Sequence, residues 1–171
     1  MWTADQFREV YEAYGPRLLR FCFHLTGCRD TAEDLTVETL AAAFQGRSRF
    51  RGGSRVETWL FGIAHNRYKL WCRKAGPRSE SLEGVEASYQ PNWIQDMALA
   101  EALGTLPRSL LIPLVLVKGE GLSHREAAEI LSLPMGTVQF RVFQAVRQLR
   151  EFLGEEGFRR DITEMRCKSE L

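Results

Sequence analysis

Residues 121–153, GLSHREAAEILSLPMGTVQFRVFQAVRQLREFL, leave the chain little choice of fold. Apolar residues recur there at three- and four-residue steps on both sides of a Leu-Pro break, which predicts two helices joined by a sharp turn. Ser123 caps the first, and Glu126 three residues later completes a capping box. Ala127, Ile130 and Leu131 follow at helical spacing, and the small Ala127 and Ala128 let another helix approach closely. Leu133-Pro134 ends this helix, because the residue before a proline is pushed out of the helical region. Gly136-Thr137 opens a second helix with Val138, Val142, Ala145, Val146, Leu149 and Phe152 on a buried face. The opposite face carries Gln139, Arg141, Gln144, Arg147 and Gln148, side chains able to donate hydrogen bonds to bases or phosphates. The pattern is that of a helix-turn-helix whose second helix enters a DNA major groove. An ordinary helical hairpin with a solvated polar face is the plainer alternative.

Upstream, residues 4–26 predict a helical region with Phe7, Val10, Tyr11 and Tyr14 on one stripe. Gly15-Pro16 interrupts it, Leu18, Leu19, Cys22 and Leu25 continue the buried face, and Gly27 stops it. Asp30 caps a helix over 31–45 that carries Glu33, Asp34 and Glu38 in its first two turns. Acids there gain from the helix dipole, yet Asp34 and Glu38 also form an acidic strip suited to a partner's Arg or Lys. The loop RSRFRGGSR (47–55) surrounds one aromatic, Phe50, with arginine and glycine. Glycines allow close backbone approach, arginines neutralise phosphates, and an aromatic among them stacks an unpaired base. A helix over 55–74 follows, with Val56, Trp59, Leu60, Ile63 and Leu70 buried and Asn66, Arg67, Lys69, Arg73 and Lys74 outward. Basic loop and basic helix together read as a surface for unpaired nucleic acid.

Charge is strongly partitioned although the whole chain carries only +1. Residues 1–43 hold four Arg against seven acids (net −3), and residues 44–75 hold eight Lys and Arg against Glu57 (net +7). The rest holds eleven basic against fourteen acidic residues (net −3). A basic block beside an acidic one suggests a polyanion on one side and a basic partner on the other. Residues 75–91 turn to Ser, Gly, Pro and Glu and read as a flexible linker, after which Trp93, Met97, Leu99, Ala102 and Leu103 resume a helical pattern. An apolar helix over 107–117 completes a compact second domain. In the tail, Phe158, Ile162 and Met165 suit either a short amphipathic helix or a frayed end.

With no apolar run near 20 residues and no signal peptide, the expectation is a cytoplasmic protein without membrane insertion. Cys22, Cys28, Cys72 and Cys167 form no C-x-x-C pair and read as reduced thiols. His24 and Cys28 sit four apart but have no evident third or fourth ligand, so no metal and no cofactor are expected.

These features together resemble the bacterial RNA polymerase sigma factors of the small extracytoplasmic-function (ECF, group IV) type in the sigma-70 superfamily. The resemblance is carried by YGPRLLRFCFHLTG (14–27), DTAEDLTVETL (30–40), RFRGGSRVETWLFGIAHNR (49–67) and LPRSLL with GEGLSHREAAEILSLPMGTVQFRVFQAVRQLR (106–150). It implies an all-α protein: a sigma2-like domain (1–75), a linker (76–91), a sigma4-like helix-turn-helix domain (92–153) and a tail (154–171). It implies that Glu33, Asp34, Leu35, Glu38 and Thr39 dock on the clamp helices of the polymerase's largest subunit, and that the polymerase flap is a further contact. Arg49, Phe50, Arg51, Gly52, Gly53, Ser54, Arg55, Asn66, Arg67, Lys69, Arg73 and Lys74 would capture and hold the single strand of the −10 element. Ser123, Arg125, Met135, Gly136, Thr137, Gln139, Phe140, Arg141, Gln144 and Arg147 would read the −35 element as duplex. An anti-sigma factor is an expected partner.

The chain also departs from the family's habit. Gln139, Gln144 and Val146 stand where Lys or Arg is usual, Phe140 where a small polar residue is, His65 for Arg and Val37 for Gln. A −35 domain with few cations should bind DNA with a shallow salt dependence, and Phe140 would meet a thymine methyl or pack against an inhibitory partner. The competing functions are a stand-alone helix-turn-helix regulator, for which no dimer interface or ligand pocket is evident, and an enzyme. No catalytic Ser-His-Asp set, P-loop or metal-ligand cluster supports the latter, so no catalytic residue is expected.

Overall fold

A computed structural model describes residues 3–75 and 97–167, with backbone alone for 4, 75, 97 and 155–167. The chain divides into two compact units, Met1–Arg78 and Ser79–Leu171, and the regular structure described in both is helical. The linker reading and Trp93 lie outside the described residues.

The first unit packs three helices on one another: α1 (Ala4–Thr26), α2 (Arg29–Gly46) and α3 (Val56–Ala75), with a 3₁₀ turn at Arg47–Arg49. Thr3 starts α1 by a capping box, its hydroxyl accepting from the Gln6 N–H while its own N–H donates to Gln6 Oε1. Gly27 ends it in the left-handed region (φ 69°) that a Cβ disfavours. The expected interruption at Gly15-Pro16 does not occur; α1 runs through Pro16. An interior proline costs about 3 kcal/mol. Here Leu18, Phe21, Cys22 and Leu25, all fully buried, hold the helix together beyond it. Each such side chain contributes about 1.5–3 kcal/mol on burial.

Buried in the same three-helix unit are Leu35, Leu40 and Ala43 of α2 and Leu60, Phe61, Ala64 and Tyr68 of α3, with Phe21 and Phe61 edge to face at 5.1 Å. Thr26, Thr36 and Thr39 are buried too, and each hydroxyl donates to the carbonyl four residues back (Cys22, Ala32 and Leu35, at 2.6–2.9 Å). No hydroxyl of these three is therefore left unsatisfied in the core. Two expected core positions are exposed. Leu70 lies two residues past Tyr68, on the other side of α3, and Tyr11 lays its ring by Gly15. The cap of α2 is Cys28 rather than Asp30, which falls within the first turn and still faces the positive end of the dipole.

The second unit contains α4 (Met97–Thr105), α5 (Arg108–Leu114), α6 (His124–Leu131) and α7 (Met135–Cys167). The apolar helix expected over 107–117 is shorter than its pattern: Pro113 lacks an N–H, and past Leu114 the backbone widens into a π turn, Val115–Gly119. Glu120 N–H then bonds back to the Val115 carbonyl at 2.8 Å. The Ser123–Glu126 capping box forms as expected, with Glu126 N–H to Ser123 Oγ at 3.2 Å and Ser123 N–H to Glu126 Oε2 at 2.8 Å. Ser132 closes α6 in the left-handed conformation (φ 54°), and Leu133 N–H reaches the Ala128 carbonyl. The Pro134 carbonyl accepts from Thr137 and Val138, starting α7. Val138, Val142, Ala145 and Leu149 are buried as expected; Phe152, past the last buried position, is exposed. Gly154 (φ 72°, ψ 166°) then breaks the helix, in a conformation open to glycine alone among common residues. The side chains of Phe158, Ile162, Met165 and Cys167 lie outside the described residues.

Candidate polymerase and nucleic-acid interfaces

On α2, Glu33, Asp34 and Glu38 face solvent, with Glu33 accepting from Arg29 Nε at 2.6 Å. Leu35 and Thr39, grouped with them in the sequence, point into the core instead and set the helix's orientation. Sequence reasoning left out Val37 as a contact, yet it is 67% exposed between the acids. A valine three residues from Asp34 and adjoining Glu38 makes the strip acidic at its edges and apolar at its centre. The i, i+3 spacing was a usable signal for it.

The basic loop leaves α2 through Arg47, which donates to the Phe44 carbonyl at 2.6 Å and lies 3.9 Å above the Phe44 ring. Arg49, Arg51, Gly52, Gly53, Ser54 and Arg55 are exposed, with Gly52 at φ 71°. Phe50 is half-buried, its ring 5.0 Å from that of Trp59 and tilted 40°. The loop's aromatic is thus held at the start of α3 with arginines around it. Below it, Glu57 pairs with Arg17 from α1 at 2.9 Å and also with Arg55. Along α3, Asn66, Lys69, Arg73 and Lys74 are exposed, Arg67 is half-buried and His65 is buried. One three-helix unit therefore presents an acidic strip and a cationic surface with a fixed aromatic corner.

In the second unit, Ser123, Arg125, Met135, Gly136, Gln139, Phe140 and Arg147 are exposed, and Thr137, Arg141 and Gln144 half-buried. They lie at the start of α6 and along the outer side of α7, as a helix entering a groove requires. Phe143, absent from the expected set, is 64% exposed one turn beyond Phe140. Beside it a groove of about 340 Å³ is lined by Lys118, His124, Gln139, Val142, Phe143, Val146 and Arg150. Its lining combines apolar Val142, Phe143 and Val146 with cationic Lys118 and Arg150.

The titratable groups away from these faces are structural. Burial, with Arg20 nearby, pushes the His24 imidazole down to about 4, and burial pushes the Cys22 thiol up to about 11. The Thr31 N–H at the start of α2 lowers Cys28. Cys22, Cys28 and Cys72 are free thiols, and among the described residues no three His, Cys, Asp or Glu side chains converge. Nor is any described helix long and apolar enough to cross a membrane.

Comparison with known proteins assigns both units. Residues 10–78 match sigma-70 region 2, and residues 96–149 match sigma-70 region 4, which defines the class as a sigma factor of the sigma-70 type. The ECF RNA polymerase sigma factor EcfG of Rhodopseudomonas palustris is 33% identical over 92% of this chain and 90% of its own length. The RNA polymerase sigma factor YlaC of Bacillus subtilis is 27% identical over 86% and 91%. Among solved structures, the sigma factor RpoE of Bartonella quintana, crystallised with the anti-sigma factor NepR, matches with a TM-score of 0.76. That match is 28% identical and covers 89% of this chain and 99% of RpoE. The chain belongs to the ECF sigma factors, which bind core RNA polymerase and direct it to promoters. These matches support that function and not the stand-alone regulator.

Proposed function

We propose a division of labour between the two units. The α2 strip of Glu33, Asp34, Val37 and Glu38 docks on the clamp helices of the polymerase's largest subunit. The 47–55 loop and the outer face of α3 hold the single strand of the −10 element after it comes apart. The exposed side of α7, with Ser123 and Arg125 at the start of α6, reads the −35 element as duplex, and the polymerase flap is a further contact. The chain has no reaction of its own to catalyse; RNA synthesis belongs to the core enzyme, and the site of action is the cytoplasm. An anti-sigma factor is the regulator, by analogy with the Bartonella quintana RpoE structure.

The observation that carries this reading is Phe50 set against Trp59 within exposed arginines. Unstacking a base costs a few kcal/mol, and base–aromatic stacking returns about 1–3 kcal/mol per base. An aromatic already ordered by Trp59 does so with little loss of side-chain freedom. Run-off transcription with core polymerase tests it through two variants. Phe50→Ala should impair strand opening more than polymerase binding, and Asp34→Ala the reverse. Equal loss of both activities in either variant would sink the division.

A further inference from the structure

Phe140 is 59% exposed in the second turn of α7, and Phe143 stands beside it on the same side of the helix. Residues 136, 140, 143, 144 and 147 share that side by their three- and four-residue spacing. Gly136, one turn before Phe140, has open space where a Cβ would stand, so no neighbour within the unit demands glycine there. Its bareness leaves one flank of the Phe140 ring and the backbone beneath it accessible. One turn after Phe140 comes Gln144, half-buried, whose amide is able to both donate and accept.

Phe140 lies in the opening turns of a second helix, the part that enters a major groove. The chemistry available there narrows its purpose. An A·T pair displays the N7 acceptor and N6 donor of adenine together with the thymine methyl; a G·C pair shows no methyl. Glutamine matches the adenine edge with two hydrogen bonds, and an aromatic ring buries the methyl. Four residues, about 6 Å of rise, separate Phe140 from Gln144 along the axis, a distance that spans fewer than two base-pair steps of about 3.4 Å each.

We propose that Phe140, with Gln144 one turn on, selects A·T in the −35 duplex by burying a thymine methyl. The inference rests on α7 being the duplex-reading helix. It makes Phe140 a specificity-determining residue, acting by apolar contact where arginine would act by charge. The salt dependence of binding is then untouched by its removal, because no phosphate contact is lost.

The test uses holoenzyme assembled from the full chain and core polymerase, offered promoters randomised over the −35 element, with transcripts sequenced. The unsubstituted protein should enrich thymine at one position, and Phe140→Ala should flatten that position alone. In a promoter so selected, deoxyuridine in place of that thymine removes only the methyl. Open-complex formation should fall roughly fourfold, the worth of one buried methyl, and should show no further fall in Phe140→Ala. Phe140 is exposed, so this variant keeps the core intact. An unchanged preference in Phe140→Ala, or a deoxyuridine effect that is absent or equal in both proteins, overturns the inference and leaves Phe140 to a protein partner. Failure to initiate on any member of the pool would instead overturn the promoter-reading role itself.

Discussion

Glu57 is the one acid among residues 44–75, and replacing it with glutamine separates its structural role from its electrostatic one. Its carboxylate accepts from Arg17 Nη1 at 2.9 Å, with the two side chains 14% and 15% exposed, and it also holds Arg55. Arg17 lies 5.7 Å from the ring centres of Tyr14 and Phe61, so it has little freedom to seek another anion. At that separation and an effective dielectric of about 20 the gross attraction is roughly 5–6 kcal/mol. Desolvation of both ions cancels most of it. Glutamine keeps the size and one acceptor, so what is lost is the charge-assisted part of the bond, about 1–2 kcal/mol. For a unit of this size that lowers the melting temperature by roughly 5–10 °C, measured by circular dichroism on the full chain. At the same time Arg55 loses its charge-paired contact with Glu57 and the net charge of 44–75 rises by one. Anisotropy with a labelled single-stranded oligonucleotide should show tighter binding and a steeper slope against log salt, by about 0.7. A double-mutant cycle with Arg17→Met should show non-additivity of about 1 kcal/mol. Full additivity, or a Glu57→Gln variant with unchanged melting and unchanged salt slope, would refute the ion pair as the anchor of the loop.

Three further outcomes follow from the same geometry. Ser123→Ala removes the capping box that starts α6 and should cost about 1 kcal/mol by urea unfolding, whereas Ser123→Asp should largely restore it. His24 is held below its ordinary 6.5 at about 4, so between those values the unfolded chain binds a proton that the folded chain refuses. Its contribution is complete above pH 6.5 and is lost as pH falls towards 4, by at most about 3 kcal/mol; a His24→Gln variant should flatten that stretch of the stability–pH curve. Residues 122–153 carry Arg125, Arg141, Arg147 and Arg150 against Glu126, Glu129 and Glu151, with Arg147 Nε 3.8 Å from Glu151. Titration of −35 duplex at several salt concentrations should accordingly give a shallow slope, and one equivalent to six or more phosphate contacts would refute it.

The helix-turn-helix was legible because its signals are local. Ser123 and Glu126 satisfy each other's backbone within one turn. Ala127, Ile130, Val138, Val142, Ala145 and Leu149 then go to the core at the spacing their order predicts. The arginine-glycine loop was legible by composition, yet its conformation was not. Where the reading failed, a distant residue had the deciding vote. Pro16 stays within α1 because burial on its far side outweighs the missing donor, and no window around Gly15-Pro16 contains that information. Leu35 and Thr39 share a motif with the exposed acids, yet their spacing to Ala32, Leu40 and Ala43 marks them as core, where both are buried. Phe152 is apolar but exposed, since periodicity marks a stripe without saying how far along a helix its neighbours reach.

What the order of residues establishes unaided is where helices start and stop, and how charge is parcelled out along the chain. Caps, prolines, left-handed glycines and like-charged runs act over four or five residues, and four or five residues are always in view. Packing settles the rest: Glu57 meets Arg17 forty positions away, Phe50 is set against Trp59, and Phe140 and Phe143 are turned outward while Val142 between them is turned in. A helix presents several nearly equivalent apolar orientations, and only the surfaces of the other helices, closing over one of them, select which side chains remain outside to meet polymerase and DNA.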